Sequence, residues 1–264
     1  MRLAHKLINE NSKIINGEIS SISKFPFMIS LGYLTQTSYF HICGGSIINT
    51  NQILSAKHCV SDLGLNYNPD KFYKENGFLL VVVSGTSQIQ SSIILNKLKQ
   101  KEVYKVKKLE YKEKDDISIL TLDNYLNFTK SIEKVQIPLS NDSAVLNGKE
   151  VIAVGWGVNE KGELSTVLNQ ANLTVLNGMK LESECEGLHE NNYCLKDLSS
   201  KKANVCYGDS GGPLLFMENK KWTVYGTASF VFTDQTGNCL NQLPSFYAKL
   251  PTSWAWIKIS NKFL

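Results

Sequence analysis

The chain has 264 residues, with Lys+Arg 28 against Asp+Glu 24 and a formal net charge of +4. That charge is too small to imply nucleic acid as a partner, and no run approaches the ~18 apolar residues of a membrane-spanning helix. The apolar content is ordinary for a globular chain and ample for a core, so the length fits one large all-β unit or two small domains.

From the start of the chain onward, Met1 to Glu10 lack the continuous apolar core of a secretion signal. Phe78–Val83, Ile117–Leu122, Val151–Val154 and Trp222–Ala228 are short alternating apolar runs, separated by Gly, Asn, Pro and Ser clusters. That is the pattern of an all-β sandwich or barrel. Lysines crowd the stretch from Lys97 to Lys114. They read as an edge strand protected by lysines, the sharper alternative being a docking surface for an acidic partner. Asn127, Asn141 and Asn172 begin glycosylation sequons. Pro251 to Lys262 opens with Pro and Thr and carries Trp254, Ile257 and Ile259, which reads as one C-terminal helix. The six cysteines include no C-x-x-C pair, and His189-Glu190 is not followed by a second ligating histidine. Neither a metal nor another cofactor is expected.

The chemistry is concentrated in Gly208-Asp209-Ser210-Gly211-Gly212-Pro213. A serine nucleophile needs an approachable hydroxyl beside N–H donors aimed at a developing oxyanion. Gly208 allows the tight turn, and Gly211 and Gly212 leave room for another backbone to lie close. The same residues also satisfy G-x-S-x-G, in which the histidine base follows the serine. Here the four histidines, His5, His41, His58 and His189, all precede Ser210, so a His…Asp…Ser order remains.

Ser55-Ala56-Lys57-His58-Cys59 resembles the Thr-Ala-Ala-His-Cys box of the trypsin/chymotrypsin-like serine proteases. Cys43-Gly44-Gly45-Ser46, Asp116-Ile117-Ser118-Ile119-Leu120, Gly155-Trp156-Gly157 and Trp254-Ala255-Trp256-Ile257 resemble further boxes of that family in the right order. The resemblance runs from about Ile14 to the C-terminus. It implies two packed six-stranded antiparallel β-barrels with a C-terminal helix. The barrels would span about 27–125 and 135–250, the helix about 252–262, and residues 1–13 would form a propeptide. It also implies a secreted or periplasmic serine endopeptidase, monomeric, acting on proteins or peptides and meeting an activating protease and protein inhibitors. A non-catalytic homologue that binds a partner is the alternative.

The resemblance assigns roles residue by residue. Ser210 attacks the scissile carbonyl, His58 is its general base, and Asp116 orients the imidazole. Asp115 is the rival for Asp116, one residue earlier and on the other side of a strand. The N–H groups of Gly208 and Ser210 form the oxyanion hole. Six cysteines alone leave the pairing open; the resemblance selects Cys43–Cys59, Cys185–Cys194 and Cys206–Cys239, which imply an oxidising compartment. Lys13-Ile14-Ile15-Asn16-Gly17 resembles an activation site, where cleavage after Lys13 frees the Ile14 amine to pair with buried Asp209. Asn204 falls at the base of the specificity pocket and carries no charge. Ser229, Phe230 and Val231 form its wall and Ser245 faces them, which predicts a narrow, short pocket. Phe230 stands where tryptophan is usual, and the loop from Val231 to Cys239 is lengthened. Lys57 stands where alanine is usual; it lowers the His58 pKa, selects acidic substrates, or points to solvent. The segment after Cys59, through Asp62 and Asp70, is longer than in compact members and sits at the cleft edge, restricting large substrates or serving as a plain surface loop. The counterpart of the family's calcium loop, Ser87 to Ser92, has no carboxylate, so no calcium site is expected.

Overall fold

The computed structural model describes residues 14–99, 102–185 and 187–260. Two strand-rich halves follow one another. In the first, β2 (Met28–Leu34), β3 (Tyr39–Asn49), β4 (Gln52–Ser55), β5 (Leu79–Ser84), β6 (Val103–Tyr111) and β7 (Ser118–Leu122) close in the order β2-β3-β4-β7-β6-β5. In the second, β8 (Glu150–Gly155), β9 (Asn169–Val175), β10 (Asn192–Lys196), β11 (Pro213–Glu218), β12 (Lys221–Val231) and β13 (Ser245–Lys249) close in the order β8-β9-β10-β13-β12-β11. The two six-stranded antiparallel barrels share one connectivity. A short β1 (Glu18–Ile19) adds to the edge of β9 through Glu18 opposite Gln170.

The local sequence explains the strands. β5 reads Leu-Leu-Val-Val-Val-Ser and is almost wholly buried, as β-branched residues between two packed faces should be. Closed barrels leave no open edge, and this corrects the edge-strand reading of the lysine stretch. β6 is paired on both sides, with Lys105 opposite Val81 of β5 and Lys108 opposite Thr121 of β7. A bulge between Val106 and Lys108 lets Lys107 and Lys108 both face solvent.

The interface between barrels is tied by named groups. Trp156 is fully buried, and its indole N–H donates to the Ser87 carbonyl at 3.0 Å. The C-terminal helix α4 (Trp254–Ser260) follows a 3-10 turn at Pro251–Ser253. It therefore starts two residues later than expected, and its expected end at 262 lies outside the described residues. Ile257 of α4 is buried, and Gln52 of β4 donates to the Ser260 carbonyl at 2.8 Å. Three further helices were not read from the sequence: α1 (Pro69–Asn76), α2 (Ser91–Lys99) and α3 (Gly178–Cys185). Among the described residues no helix is long and apolar enough to cross a membrane.

Candidate active site

His58 sits on the turn that leaves β4, and Asp116 on the turn that enters β7. β4 and β7 pair, Ser55 opposite Ser118, so two residues far apart in sequence emerge side by side. His58 Nδ1 lies 2.8 Å from Asp116 Oδ2, and the His58 backbone N–H donates to Asp116 Oδ1 at 2.9 Å. The Ser229 hydroxyl donates to the same Oδ2 at 2.6 Å. Burial pushes the Asp116 carboxyl up, but the hydrogen bond and charge of His58, with the Ser229 hydroxyl, outweigh it and hold the pKa below its ordinary value. The carboxylate stays ionised and fixes the ring with its Nδ1–H toward Asp116.

Asp115 turns the other way. It accepts from Lys112 Nζ at 2.6 Å and from the Ser253 hydroxyl, anchoring the start of the C-terminal helix. Lys57 does not reach solvent freely or meet the imidazole. Its amine contacts the Glu113 carbonyl and carboxylate, each at 2.9 Å, and lies 5.5 Å from the Tyr111 ring centre. The amine is thus paired with Glu113 rather than pointing freely to solvent, which corrects that expectation for Lys57.

Ser210 comes from the turn before β11. Gly208 and Gly211 adopt φ of 90° and 73°, the region that favours glycine. A Cβ on Gly211 would lie 2.2 Å from Ser55 Oγ and 2.7 Å from the Gly44 carbonyl oxygen. The Gly44 N–H in turn donates to the Ser210 carbonyl at 2.7 Å. The glycines thus let the serine loop of the second barrel lie against β3 of the first. Asp209, Gly211 and Gly212 donate their N–H groups within the chain. Among the described residues, those of Gly208 and Ser210 donate to nothing in the chain and are left free as donors. His58 and Ser210 face one cleft of about 560 Å³. No hydrogen bond joins the two side chains directly, and such contacts commonly tighten only when substrate is bound.

The loop is braced from below by two groups. Asp209 is buried; its carboxylate accepts from the Gly157 N–H at 2.8 Å and the Cys206 N–H at 3.0 Å. Burial raises its pKa to about 7, against those two bonds. Gly155 and Gly157 are glycines because a Cβ at either would lie 2.1 Å from an Asp209 oxygen. His41 is the second brace, and sequence reasoning missed it. Its Nε2–H donates to the Gly208 carbonyl at 2.8 Å, and its Nδ1 accepts from the Ser30 hydroxyl at 2.7 Å. Burial lowers its pKa to about 4, so the ring is neutral. The available signal was a histidine two residues before Cys43.

Ile14 is fully buried against Ala171 and Ala203, and the Asn204 N–H donates to the Ile15 carbonyl at 3.1 Å. Lys13, like the rest of residues 1–13, lies outside the described residues. The disulfides are Cys43–Cys59, Cys185–Cys194 and Cys206–Cys239. The first bridges β3 to the turn carrying His58; the third ties the serine loop to the segment after β12.

The pocket differs from expectation in its floor. Val231, Phe230 and Ser229 line the cleft, with Val205 and Ala228. Asn204 is buried but does not line it: its amide donates to the Leu243 carbonyl at 3.0 Å and accepts from the Val205 N–H at 2.9 Å. Ser245 is buried opposite Val231, does not line the cleft, and its hydroxyl has no partner among the described residues. Phe230 stacks on Phe246 with ring centres 4.4 Å apart.

Comparison with known proteins bears on the family and the fold. Ovochymase from Halocynthia roretzi is 27% identical over 255 residues, which are 93% of this chain but only 15% of that protein. The solved structure of human heparin binding protein superposes with a TM-score of 0.72 at 23% identity, covering 95% of this chain and 98% of that one. A mutant of that protein gives 0.71 at 22% identity over the same shares. The structural likenesses speak to the fold alone. The family model named Trypsin matches residues 14–257, nearly all of both barrels and the closing helix, and the chain therefore belongs to the trypsin family.

Proposed function

We propose that this chain is a secreted serine endopeptidase, made as a precursor cleaved after Lys13 and acting through an acyl-enzyme on Ser210. His58 Nε2 takes the Ser210 proton as Oγ attacks the scissile carbonyl. The oxyanion meets the Gly208 and Ser210 N–H groups. His58 then passes the proton to the departing amine, and water repeats the sequence to release the acyl group. The observation that carries this reading is the Ser229–Asp116–His58 hydrogen-bond array on one cleft with Ser210, whose own N–H and that of Gly208 are unengaged.

Activation is read from Asp209. A buried carboxylate without a cation is costly, and a new Ile14 ammonium would supply one. The three disulfides and the family domain are typical of extracellular proteins. Substrates are proteins or peptides with an uncharged, small-to-medium residue before the cut, because Val231 and Val205 make the cleft wall apolar and Asn204 offers no charge. The test is to cut the chain with trypsin, sequence for a new N-terminus at Ile14, and add a fluorophosphonate. Labelling at Ser210 is expected.

A second reading, a binding protein on the same scaffold, is favoured by the outward lysines Lys105, Lys107 and Lys108 and by the name of the heparin binding protein that shares the fold. The cut chain would then fold and bind but take no label.

A further inference from the structure

The fold separates the three sequons. Asn172 lies in β9, paired with Ile152 of β8, and the Leu173 that follows it is buried in the core of the second barrel. Asn141 is followed by Asp142, whose carboxylate accepts the Ala144 N–H at 2.8 Å at the start of a short 3-10 turn. Asn127 stands in neither a strand nor a turn. It is exposed, on the stretch that leaves β7 for the second barrel, and Thr129 completes its sequon.

That stretch is pinned from inside. The Leu126 N–H donates to the Thr50 carbonyl at 2.6 Å, and the Thr129 N–H donates to the Ile132 carbonyl at 2.8 Å. Leu126 is buried in the core. In chain that is not helical, the residues on either side of an inward side chain turn outward. Both do so here: Asn127 is exposed, and Tyr125 is 72% exposed. The two are about 7 Å apart at the rise of extended chain, on one side of it. Phe128, 39% exposed, follows the asparagine directly.

An exposed tyrosine alone is ordinary surface. One that shares a side with a sequon asparagine is a platform for a sugar. A pyranose presents several C–H bonds on one face, and the electron-rich face of an aromatic ring attracts them. The placement also keeps a bulky group away from the chemistry. Asp116 lies just before β7 and Tyr125 just after it. The ring and the asparagine therefore sit at the end of the first barrel remote from His58.

We propose that Asn127 is an N-glycosylation site and that its first N-acetylhexosamine packs on the Tyr125 ring. The inference rests on the secreted reading above. The co-substrate is an oligosaccharide carried on a polyprenyl diphosphate. The Asn127 amide nitrogen bonds to its anomeric carbon, the bond from that carbon to the diphosphate oxygen breaks, and the lipid diphosphate leaves. The amide gives up one proton, and no oxidant or reductant takes part. Thr129 supplies the hydroxyl that the sequon requires. Only in the folded chain does buried Leu126 hold ring and sugar on one side, so the contact favours the folded state.

The test exports the uncut chain, behind a supplied leader, from a eukaryotic host that keeps its glycans high-mannose. An endoglycosidase then trims each glycan to one N-acetylglucosamine. Peptide mass spectrometry should find Asn127 occupied in most molecules, and more fully than Asn141 or Asn172. Thermal scans should place the one-sugar form about 2 °C or more above Asn127→Gln. In a Tyr125→Ser background that difference should vanish while Asn127 stays occupied. An exported chain with Asn127 bare overturns the site. A gain in Tm that survives Tyr125→Ser, or no gain in the wild type, overturns the packing. A chain that is not exported removes the secreted reading and the site with it.

Discussion

The hydroxyl of Ser229, on β12 of the second barrel, donates at 2.6 Å to Oδ2 of Asp116 in the first. The same oxygen receives the His58 ring N–H at 2.8 Å. The Asp116 carboxylate is thus held from both barrels, and any shift of one against the other is felt at the His58 ring. Thr227 adds a second tie from the same strand, its hydroxyl donating to the Asp116 carbonyl at 3.2 Å.

Ser229→Ala should therefore lower kcat without unfolding the chain. A hydrogen bond to a charged group contributes about 1.5–3 kcal/mol, and only part of that is felt in the transition state, so a loss of roughly 10-fold is expected. Asp116→Asn should cost far more, because it puts the wrong tautomer on His58; the Ser-His-Asp template loses ~10,000-fold on that change. Anilide kinetics on the cut chain measure both. Equal, small losses would mean that Asp116 does not orient the base.

Ser210→Ala should abolish fluorophosphonate labelling and nearly all peptide hydrolysis, because the proposed acyl-enzyme forms on its hydroxyl. Measured by label incorporation and by turnover of a peptide pool, wild-type-like activity in this variant would remove Ser210 from the chemistry.

Asp209 and His41 predict a pH signature in the uncut chain. Folding raises the Asp209 pKa from 3.8 to about 7 and lowers that of His41 from 6.5 to about 4. Between these values the folded state holds more protons than the unfolded on Asp209, so its contribution falls as pH rises. For His41 the unfolded state holds more, so its contribution rises with pH. The two oppose each other. Asp209→Asn removes the first alone, and the Tm of wild type minus that of the variant should fall steadily from pH 4 to pH 7. Thermal scans of uncut protein measure it, and a difference independent of pH would mean that Asp209 titrates normally.

Much of this was legible because the chemistry lies in short contiguous boxes. The order of His58, Asp116 and Ser210 and the glycines around the serine follow from local demands on the backbone, and alternating runs such as Ile117–Leu122 read as strands. What was not legible depends on partners remote in sequence. Asn204 falls where a pocket floor is expected, yet its amide is taken up by the Leu243 carbonyl, 39 residues away in the chain. Lys57 beside the histidine box could have gone several ways until Glu113 folded back to meet it. The role of His41 needed the bulge at Ile42. The start of α1 was readable in Asn68-Pro69, but one inward aromatic gives too little periodicity to mark a helix.

Ile14 carries φ of 80° in the uncut chain, a region that a β-branched residue enters only under strain of about 1–3 kcal/mol. Once cut after Lys13, Ile14 has no preceding carbonyl to clash with, and its amine can pair with Asp209. Cleavage should therefore raise Tm by several degrees, at ~2–4 °C per kcal/mol for a domain of this size. Calorimetry of Ser210→Ala protein before and after trypsin avoids self-digestion. Lys13→Gln should keep the chain folded and inactive; activity in the uncut protein would sink the switch.

The pocket gives the last prediction. Val231 lines the cleft beside Val205 and Ala228, and pairs with Ser245 across the sheet. Two valines narrow the space, and the Asn204 amide, already satisfied by Leu243 and Val205, presents neither charge nor a spare donor. An Arg or Lys before the cut would be buried without a counter-charge, and a Phe or Tyr would meet the Val231 methyls. Ala, Val, Thr and small aliphatic residues should be preferred, and graded, because each methylene changes discrimination by only ~1–3 kcal/mol. Val231→Gly removes the obstruction at a strand end and should move the profile toward Leu, Phe and Tyr by about 10-fold or more, without changing the anilide rate of an Ala substrate much. A peptide-library profile of both proteins decides the matter. Cleavage mainly after Arg or Lys would show that a counter-charge reaches the pocket from elsewhere. A wild type that already cuts after Phe or Tyr, and is unmoved by Val231→Gly, would show that Val231 lines the cleft without guarding its entrance.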